Sequence, residues 1–309
     1  MISVIMGIYR EKPEILSEAV YSLLKQSYQD IEIIAILDDP DNIQLQNVMQ
    51  DIAAADTRVH FYVNETNMGL TRTLNKALTL SQGEYIARMD ADDISLPERI
   101  KTQLEFLHDQ NMDIVGGNLQ MIAEDGNPIY SIRKLPSKSK GIKKGLRYGQ
   151  VIPHPTWLVR KEVYQSLGGY REVPQAEDYD FLIRAILQGY RCGNVPSTVL
   201  KYRMTTSSVS RSGLYKQYQC MRLLSHNYRK RRATTMDQIN VLKAQVPNHE
   251  KAKRYCEANI LLNQLLSQME AGTYIRMLKP GVKLLFKSPS YLDKIWRFFR
   301  LSQLASRDY

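Results

Sequence analysis

The feature that most constrains this chain is the regular alternation of short apolar strands and amphipathic helices between Ile2 and Gln110. Ile2–Ile8 is a continuous apolar run, and Pro13 opens a helix over Glu14–Gln26 with Ile15, Ala19 and Leu23 on one face. Ile31–Leu37 is a second strand, Gln44–Ala55 reads as helix, and Arg58–Val63 alternates as a third strand. Asn67-Met68-Gly69 is a turn into a helix over Leu70–Leu80; Glu84–Met89 is the next strand and Pro97–Gln110 the next helix. Serial βαβ units of this kind dictate a mostly parallel sheet covered by helices on both faces. In such sheets ligands bind beyond the carboxyl ends of the strands, at a topological switch point. Two of those ends carry carboxylates: Asp38-Asp39 after the second strand, and Asp90-Ala91-Asp92-Asp93 after Glu84–Met89.

Packed carboxylates at a strand end call for a cation. A divalent ion that prefers oxygen, Mg²⁺ or Mn²⁺, suits them, and such ions commonly complete their shell with substrate phosphates. The bland reading of the cluster is helix capping, since Pro97-Glu98-Arg99 opens a helix close by. That both acidic groups fall at strand ends favours the ligand reading. A calcium-binding EF-hand loop starting at Asp90 fails on spacing, with Lys101 where a bidentate Glu is required and Ser95 in place of the glycine. The chain has no P-loop and no G-x-G-x-x-G, so kinase, GTPase and dinucleotide readings have no anchor.

Farther along, Asp125-Gly126-Asn127-Pro128 is a turn between strand-like runs, and the polar stretch Lys134–Lys144 is expected to be a mobile loop. Thr156–Arg160 reads as a strand, Lys161–Leu167 as a helix broken by Gly168-Gly169, Asp178–Gln188 as an amphipathic helix and Thr198–Tyr202 as a last strand. The pair Glu177-Asp178, taken alone, suits the N-terminus of that helix. Beyond Ser212 the pattern is helical: Leu214–Arg232, Thr235–Gln245, Glu250–Met269 and a segment from Tyr274. The chain therefore divides into an α/β unit, 1–212, and a helical extension, 213–309.

Charge follows the same division. The net charge is +10, yet the first unit holds 24 Lys/Arg against 26 Asp/Glu, and the extension holds 18 against 6. The extension should meet something anionic: a membrane surface, a diphosphate or nucleic acid. Lys283-Leu284-Leu285-Phe286-Lys287 and Ile295-Trp296-Arg297-Phe298-Phe299-Arg300 mix bulky apolar and cationic residues, as an interfacial helix does. Their alternative is a set of core-facing helices with solvated basic faces. Cys192, Cys220 and Cys256 form no metal or disulfide pattern and fit a reducing compartment. No basic leader precedes the first strand and no window approaches 18 uninterrupted apolar residues, so a cytoplasmic protein is expected.

An ordered series of motifs resembles the family 2 glycosyltransferases of GT-A fold, the bacterial nucleotide-sugar transferases of surface-polysaccharide assembly. The series covers about the first 210 residues. It comprises Ser3-Val4-Ile5-Met6-Gly7-Ile8-Tyr9, with Arg10 where the family usually has Asn, and Ser22-Leu23-Leu24-Lys25-Gln26-Ser27. Ile36-Leu37-Asp38-Asp39 follows, then Asn67-Met68-Gly69-Leu70 with Arg72 and Asn75, and Met89-Asp90-Ala91-Asp92-Asp93, which resembles the DxD motif. His154-Pro155-Thr156, Gly168-Gly169-Tyr170, Glu177-Asp178-Tyr179-Asp180 and Tyr202-Arg203 complete it.

The resemblance implies a Rossmann-like mixed sheet with flanking helices and an inverting, metal-dependent sugar transfer. It implies Mn²⁺ or Mg²⁺ on Asp92 and Asp90, with Ile8, Tyr9, Asp39, Asn67, Gly69, Arg72, Asp90 and Ala91 around the UDP-sugar. Asp39 would accept the uracil imide N–H, and Asp178 would be the general base. His154, Glu177 and Arg211 are candidates for the acceptor side, and Arg211 or the Lys134–Lys144 stretch could meet an acceptor diphosphate. Met204-Thr205-Thr206 departs from the His that members often carry after the Tyr-Arg pair, so the last metal position has no residue. The expected reaction is β1,3 transfer of galactose or glucose to a sugar on undecaprenyl diphosphate, for O-antigen, capsule or exopolysaccharide. It would occur at the inner membrane face, peripherally and without nucleic acid. The alternative is a non-catalytic or nucleic-acid-associated protein, with Arg229-Lys230-Arg231-Arg232 as its phosphate-binding patch.

Overall fold

The computed structural model describes residues 1–132, 135–204, 213–246, 248–270, 284 and 287–305. Strand β1 (Ile2–Ile8) leads through α1 (Pro13–Leu24) to β2 (Ile31–Leu37), and α2 (Ile43–Ala55) leads to β3 (Val59–Val63). Helix α3 (Leu70–Leu80) then returns the chain to β4 (Tyr85–Arg88). β1 pairs in parallel with both β2 and β4, and β2 with β3. Nearly every side chain of β1 and β2 is buried, as strands covered on both faces require.

The second half of the sheet is mixed. It contains β5 (Ile94–Ser95), α4 (Arg99–Asp109), β6 (Ile114–Ile122), β7 (Pro128–Ile132), α5 (Ser139–Gly145), β8 (Leu158–Arg160), α6 (Lys161–Leu167), α7 (Glu177–Leu187) and β9 (Cys192–Arg203). The nine strands run β3-β2-β1-β4-β8-β6-β9-β5, with β7 paired to β6. The short β8 lies antiparallel between β4 and β6, so the first half is parallel and the order switches beside β4. Ile8 pairs with Leu37 at the carboxyl end of the β1–β2 ladder, and the β1–β4 ladder ends at Ile5 and Arg88. The segments after β1, β2 and β4 therefore emerge on one edge of the sheet.

Two expectations need correction. The stretch Lys134–Lys144 contains the start of α5, in which Gly141, Ile142 and Gly145 are buried, so it is not a loop throughout; Lys134 lies outside the described residues. A side chain at Gly145 would approach Val151 Cγ1 to 2.5 Å, so close packing, not solvent, sets its composition. The last strand of the sheet is also longer than Thr198–Tyr202, because β9 begins at Cys192 and carries Pro196 in a register shift against β6.

Among the described residues four more helices follow: α8 (Leu214–Arg229), α9 (Met236–Ala244), α10 (His249–Glu270) and α11 (Pro289–Ala305). Cys220, Leu224, Tyr228 and Ile239 join the core on one face of the sheet, beside Trp157, Tyr179 and Phe181. Tyr218, Tyr255, Ala258, Leu284 and Tyr291 form a separate small core among these helices. The extension thus packs on the α/β unit, and α11 still leaves Trp296, Phe298 and Phe299 49%, 70% and 57% exposed. Among the described residues no helix is long and apolar enough to cross a membrane.

Candidate active site

At the end of β2 the two adjacent aspartates separate. Successive side chains of a strand point to opposite faces, so one turns in and the other out. Asp38 is buried, and its Oδ1 accepts from Asn64 Nδ2 at 2.7 Å and from the Met68 N–H at 2.8 Å. Its Oδ2 accepts from the Gly69 N–H at 2.8 Å. Gly69 adopts φ +80°, a left-handed conformation that glycine takes without a Cβ penalty. Asp38 therefore anchors the turn that starts α3. Asp39 stays at the surface, where its Oδ2 accepts from Arg10 Nε at 2.9 Å. The Arg10 guanidinium in turn lies 4.7 Å from the centre of the Tyr9 ring.

Asn67, Gly69 and Arg72 lie exposed or half-buried beside this edge, whereas Ile8 is fully buried at the end of β1. Arg72 Nε donates to Glu172 Oε1 at 2.5 Å. Asn75 has a structural task, since its Nδ2 donates to the Tyr170 carbonyl and its Oδ1 accepts the Tyr170 N–H, each at 2.9 Å. Gly169 (φ +72°) lies against it, and a Cβ there would stand 2.6 Å from Asn75 Oδ1.

The acidic cluster after β4 is a built site. Ligand oxygens of Asp90, Asp92 and Asp93 lie within 4.8 Å of one another. Arg88, buried, grips Asp90 with both terminal nitrogens, Nη1 to Oδ2 at 2.7 Å and Nη2 to Oδ1. Asp93 is fully buried; its Oδ1 accepts the Arg203 N–H at 2.9 Å, and its Oδ2 has no partner among the described residues. Arg203 also ties Nε to the Asp92 carbonyl at 2.9 Å and Nη2 to Glu18 Oε2 at 2.6 Å, which locks the cluster to the end of β9. Burial, then Asp90 and Glu11, push the Asp92 carboxyl up to about 7. Burial, Asp90 and Asp92 drive Asp93 well above the carboxylate range. A buried carboxylate oxygen without a partner, among acids that repel each other's charge, fits a divalent cation held by oxygen ligands.

The first turn of α7 lies close enough to this cluster for their charges to interact. Burial and the neighbouring Asp178 push Glu177 up to about 7, and the charge of Asp90 adds to the rise. Asp178 Oδ2 accepts from Gln150 Nε2 at 2.7 Å and Oδ1 from the Tyr179 N–H at 2.7 Å. Burial raises the Asp178 carboxyl, against the pull of those two donors and of Arg88. The positive charge of Arg88 is thus felt by Asp92, Asp93, Glu177 and Asp178 alike, which brings the two acidic groups into one electrostatic neighbourhood. His154 sits among aromatic rings: its Nε2 is 2.8 Å from the Tyr170 hydroxyl, and it packs edge-on against Trp157. Burial and the Arg88 charge hold its imidazole neutral. Arg211 lies outside the described residues.

The sequence profile described as Glycosyl transferase family 2 matches residues 3–168, more than half of the chain. The chain belongs to this family. The O-antigen biosynthesis glycosyltransferase WbnJ of Escherichia coli is 32% identical over 76% of this chain and 91% of its own length. The putative glycosyltransferase EpsE of Bacillus subtilis is 34% identical over 68% of this chain and 75% of its own. The amylovoran biosynthesis glycosyltransferase AmsE of Erwinia amylovora is 29% identical over 68% of this chain and 79% of its own. Among solved structures, S. aureus TarS residues 1–349 in complex with UDP-GlcNAc superposes with a TM-score of 0.58 at 16% identity. The match covers 99% of this chain and 91% of that one and establishes the shared GT-A-like fold. The protein is a glycosyltransferase, and this assignment removes the non-catalytic alternative.

Four residues of the glycosyltransferase site have roles that sequence reasoning missed. Glu11, whose Oε2 accepts the Tyr9 N–H at 2.8 Å, adds a further carboxylate near Asp90 and Asp92. It lies three residues past a strand end, so the reasoning applied to Asp38-Asp39 would have found it. Arg88 is alternation-compatible within its strand and gives no separate signal. Arg203 stands in a motif, yet its grip on Asp92, Asp93 and Glu18 is visible only in three dimensions. Gln150 has no signal at all.

Proposed function

We propose that this glycosyltransferase moves a hexose, galactose or glucose, from a UDP-sugar to a sugar carried on undecaprenyl diphosphate. The transfer inverts the anomeric centre and forms a β1,3 linkage in O-antigen, capsule or exopolysaccharide synthesis. The observation that carries this reading is the Asp90-Asp92-Asp93 cluster, with the Glu177-Asp178 turn within range of the same Arg88 charge. One acidic group suits a cation and a diphosphate, and the other suits proton removal. The names of WbnJ and AmsE support the pathway class, and the UDP-GlcNAc complex of TarS supports a UDP-sugar donor.

The geometry supports a role for each group in this reading. Asp39 accepts the uracil N–H, exchanging its Arg10 partner for the base, while Tyr9, Asn67 and Gly69 border the nucleotide. Arg72 turns from Glu172 toward the diphosphate. Asp92, with Asp90 and Asp93 beside it, would hold Mn²⁺ or Mg²⁺, which when bound neutralises charge developing on the departing diphosphate. Asp178 takes the proton of the acceptor hydroxyl as its oxygen bonds to the anomeric carbon and the sugar–phosphate bond breaks. Gln150 holds the Asp178 carboxylate in place by its 2.7 Å hydrogen bond. Glu177 lines the acceptor side.

Residues 1–212 act here as the transferase unit and 213–309 as an extension toward the membrane. The exposed Trp296, Phe298 and Phe299 and the cations of α11 suit the inner membrane face, rings at the acyl boundary and Arg300 at anionic headgroups. The test is transfer from a panel of UDP-sugars with Mn²⁺ to a synthetic N-acetylhexosaminyl diphosphate lipid, with Asp178→Asn as control. Metal-dependent transfer from one donor, lost in the variant, is expected. An α-linked product would overturn the inverting step, and absence of UDP binding would overturn the reading as a whole.

A further inference from the structure

At the carboxyl end of α7 lies a cavity, open to solvent, of about 430 Å³ that the transfer reaction leaves unused. Its wall includes Arg171, Arg184, Arg231, Arg232, Ser166 and Gln188, contributed by the end of α6, by α7 and by the turn after α8. The volume lies within the roughly 300–1,000 Å³ usual for small-ligand sites. No carboxylate lines the cavity; two of its four arginines are paired from behind by the fully buried Asp180, which accepts from Arg171 Nε at 2.9 Å and from Arg184 Nε at 2.8 Å. Arg184 spends its other nitrogens on the Leu167 and Gly169 carbonyls, each at 2.8 Å. The carboxyl end of α7 adds about half a negative charge, which leaves the cavity strongly cationic.

The two remaining arginines are exposed at the cavity and have no ion pair among the described residues. Arg232 commits only Nε, at 3.1 Å to Asn227 Oδ1, and Arg231 makes no side-chain hydrogen bond or ion pair among the described residues. Arg231 also occupies a costly position. Its N–H donates to the Tyr228 carbonyl and that of Arg232 to the Asn227 carbonyl, closing α8, with Arg231 at φ +57°. Glycine is the usual residue at such a left-handed helix end, so an arginine there is bought at the expense of backbone strain. Arginine does not relieve crowding by losing its proton, so opposed guanidinium groups call for a counter-anion.

We propose that this cavity is an oxyanion site that takes a phosphate or diphosphate group, the arginine forks donating in pairs to its oxygens. The site is separate from the acidic cluster and does not rest on the donor reading. Arg229, two residues from Arg231, lies over the Tyr148 ring, which also meets Trp296 and Arg300 of α11. The cavity is therefore joined by one short turn to the aromatic, basic surface of α11. A phosphate can reach it from a lipid headgroup or from solution, and the experiment separates these sources.

The variant is Arg231→Gly with Arg232→Ala, which removes both side chains and relaxes the strained turn. Thermal unfolding of the full chain is followed with inorganic pyrophosphate in EDTA, which silences the acidic cluster. Pyrophosphate should raise the midpoint of the parent protein, and its apparent Kd should weaken by about tenfold or more in the variant. UDP with Mn²⁺ should stabilise both proteins equally, which reports that the variant is folded. Equal pyrophosphate affinity in the two proteins, or none in the parent, overturns the site. Failure of UDP to bind either protein, with the pyrophosphate difference intact, refutes the donor reading alone. Sedimentation with phosphatidylglycerol vesicles then assigns the source. Vesicle binding displaced by pyrophosphate in the parent only identifies a lipid headgroup, whereas binding indifferent to pyrophosphate identifies a soluble phosphate.

Discussion

Replacing Asp178 by Asn isolates the proton-accepting role with little change in shape. The Asn carbonyl still accepts the Tyr179 N–H that Asp178 Oδ1 takes at 2.7 Å, but its amide now confronts Gln150 Nε2. Gln150 cannot flip freely, because its Oε1 accepts the Val151 N–H at 3.1 Å, so one hydrogen bond is lost either way, about 1 kcal/mol. Against this, burial raises the Asp178 carboxyl, so its ionised form opposes folding at neutral pH, and a neutral amide removes that opposition. The two effects offset, and the unfolding midpoint should move by no more than about 2–4 °C. Loss of a general base costs about 10²–10⁴ in rate, so kcat should fall by that factor while UDP affinity with Mn²⁺ stays unchanged. Gln150→Ala supplies the second arm. The Gln150 hydrogen bond favours the ionised carboxylate, so its removal raises Asp178 further and shifts the acidic limb of the kcat/KM profile to higher pH. Retention of kcat within tenfold in Asp178→Asn, or an acidic limb unmoved in Gln150→Ala, would refute the assignment of the base.

Asp92→Asn should abolish the stabilisation by Mn²⁺ seen in thermal unfolding and lower transfer at least about 10²-fold, since a charged ligand is lost. Because the folded Asp92 carboxyl is raised to about 7, this group contributes stability to the metal-free protein that is full below its ordinary carboxylate range and is lost as pH rises through about 7. That decline should be shallower in Asp92→Asn, read from urea unfolding at several pH values in EDTA, and an equally steep decline would refute the carboxylate origin. Asp180→Ala leaves the buried Arg184 and the half-buried Arg171 without their shared partner and should cost about 3–5 kcal/mol in urea unfolding. Changing Trp296, Phe298 and Phe299 together to Ser should release the protein from phosphatidylglycerol vesicles and leave kcat on a water-soluble acceptor unchanged; undiminished sedimentation would retire the interfacial role of α11.

How far the site is legible in the sequence depends on how each residue is positioned. The strands β1, β2 and β4 are plain because both faces are buried and the apolar runs are bounded by Pro, Gly, Asn and Asp, and β3 is plain from its alternation. The two acidic groups are plain because strand ends place them without further information. The different fates of Asp38 and Asp39 follow from the two-residue period, yet which one faces inward is decided by the backbone N–H groups of Met68 and Gly69, about thirty positions on. Glu177 and Asp178 read equally well as a helix terminus, and only the proximity of Asp90 and Arg88 distinguishes them. The tasks of Gln150 and Arg203 are invisible for one reason: each acts through tertiary contacts, to carboxylates 28 and 110 residues away. The helix α5 was misread because glycine and lysine look like loop residues when the packing of Gly145 against Val151 is unknown.

The same distinction explains why the arginine turn after α8 stood out in the sequence for the wrong partner. Composition gives a run of cations, and a run of cations fits any polyanion. Three-dimensional structure divides that run by direction. Arg229 turns to Tyr148 and the Arg147 carbonyl, whereas Arg231 and Arg232 line an open cavity together with Arg171 and Arg184. A nucleic-acid backbone needs a row of charges along an open face, with phosphates spaced along it. Charges that converge on one cavity fit a single compact anion instead. Convergence, rather than count, is what sets the size of the ligand, and it separates a phosphate from a polymer of phosphates on this surface.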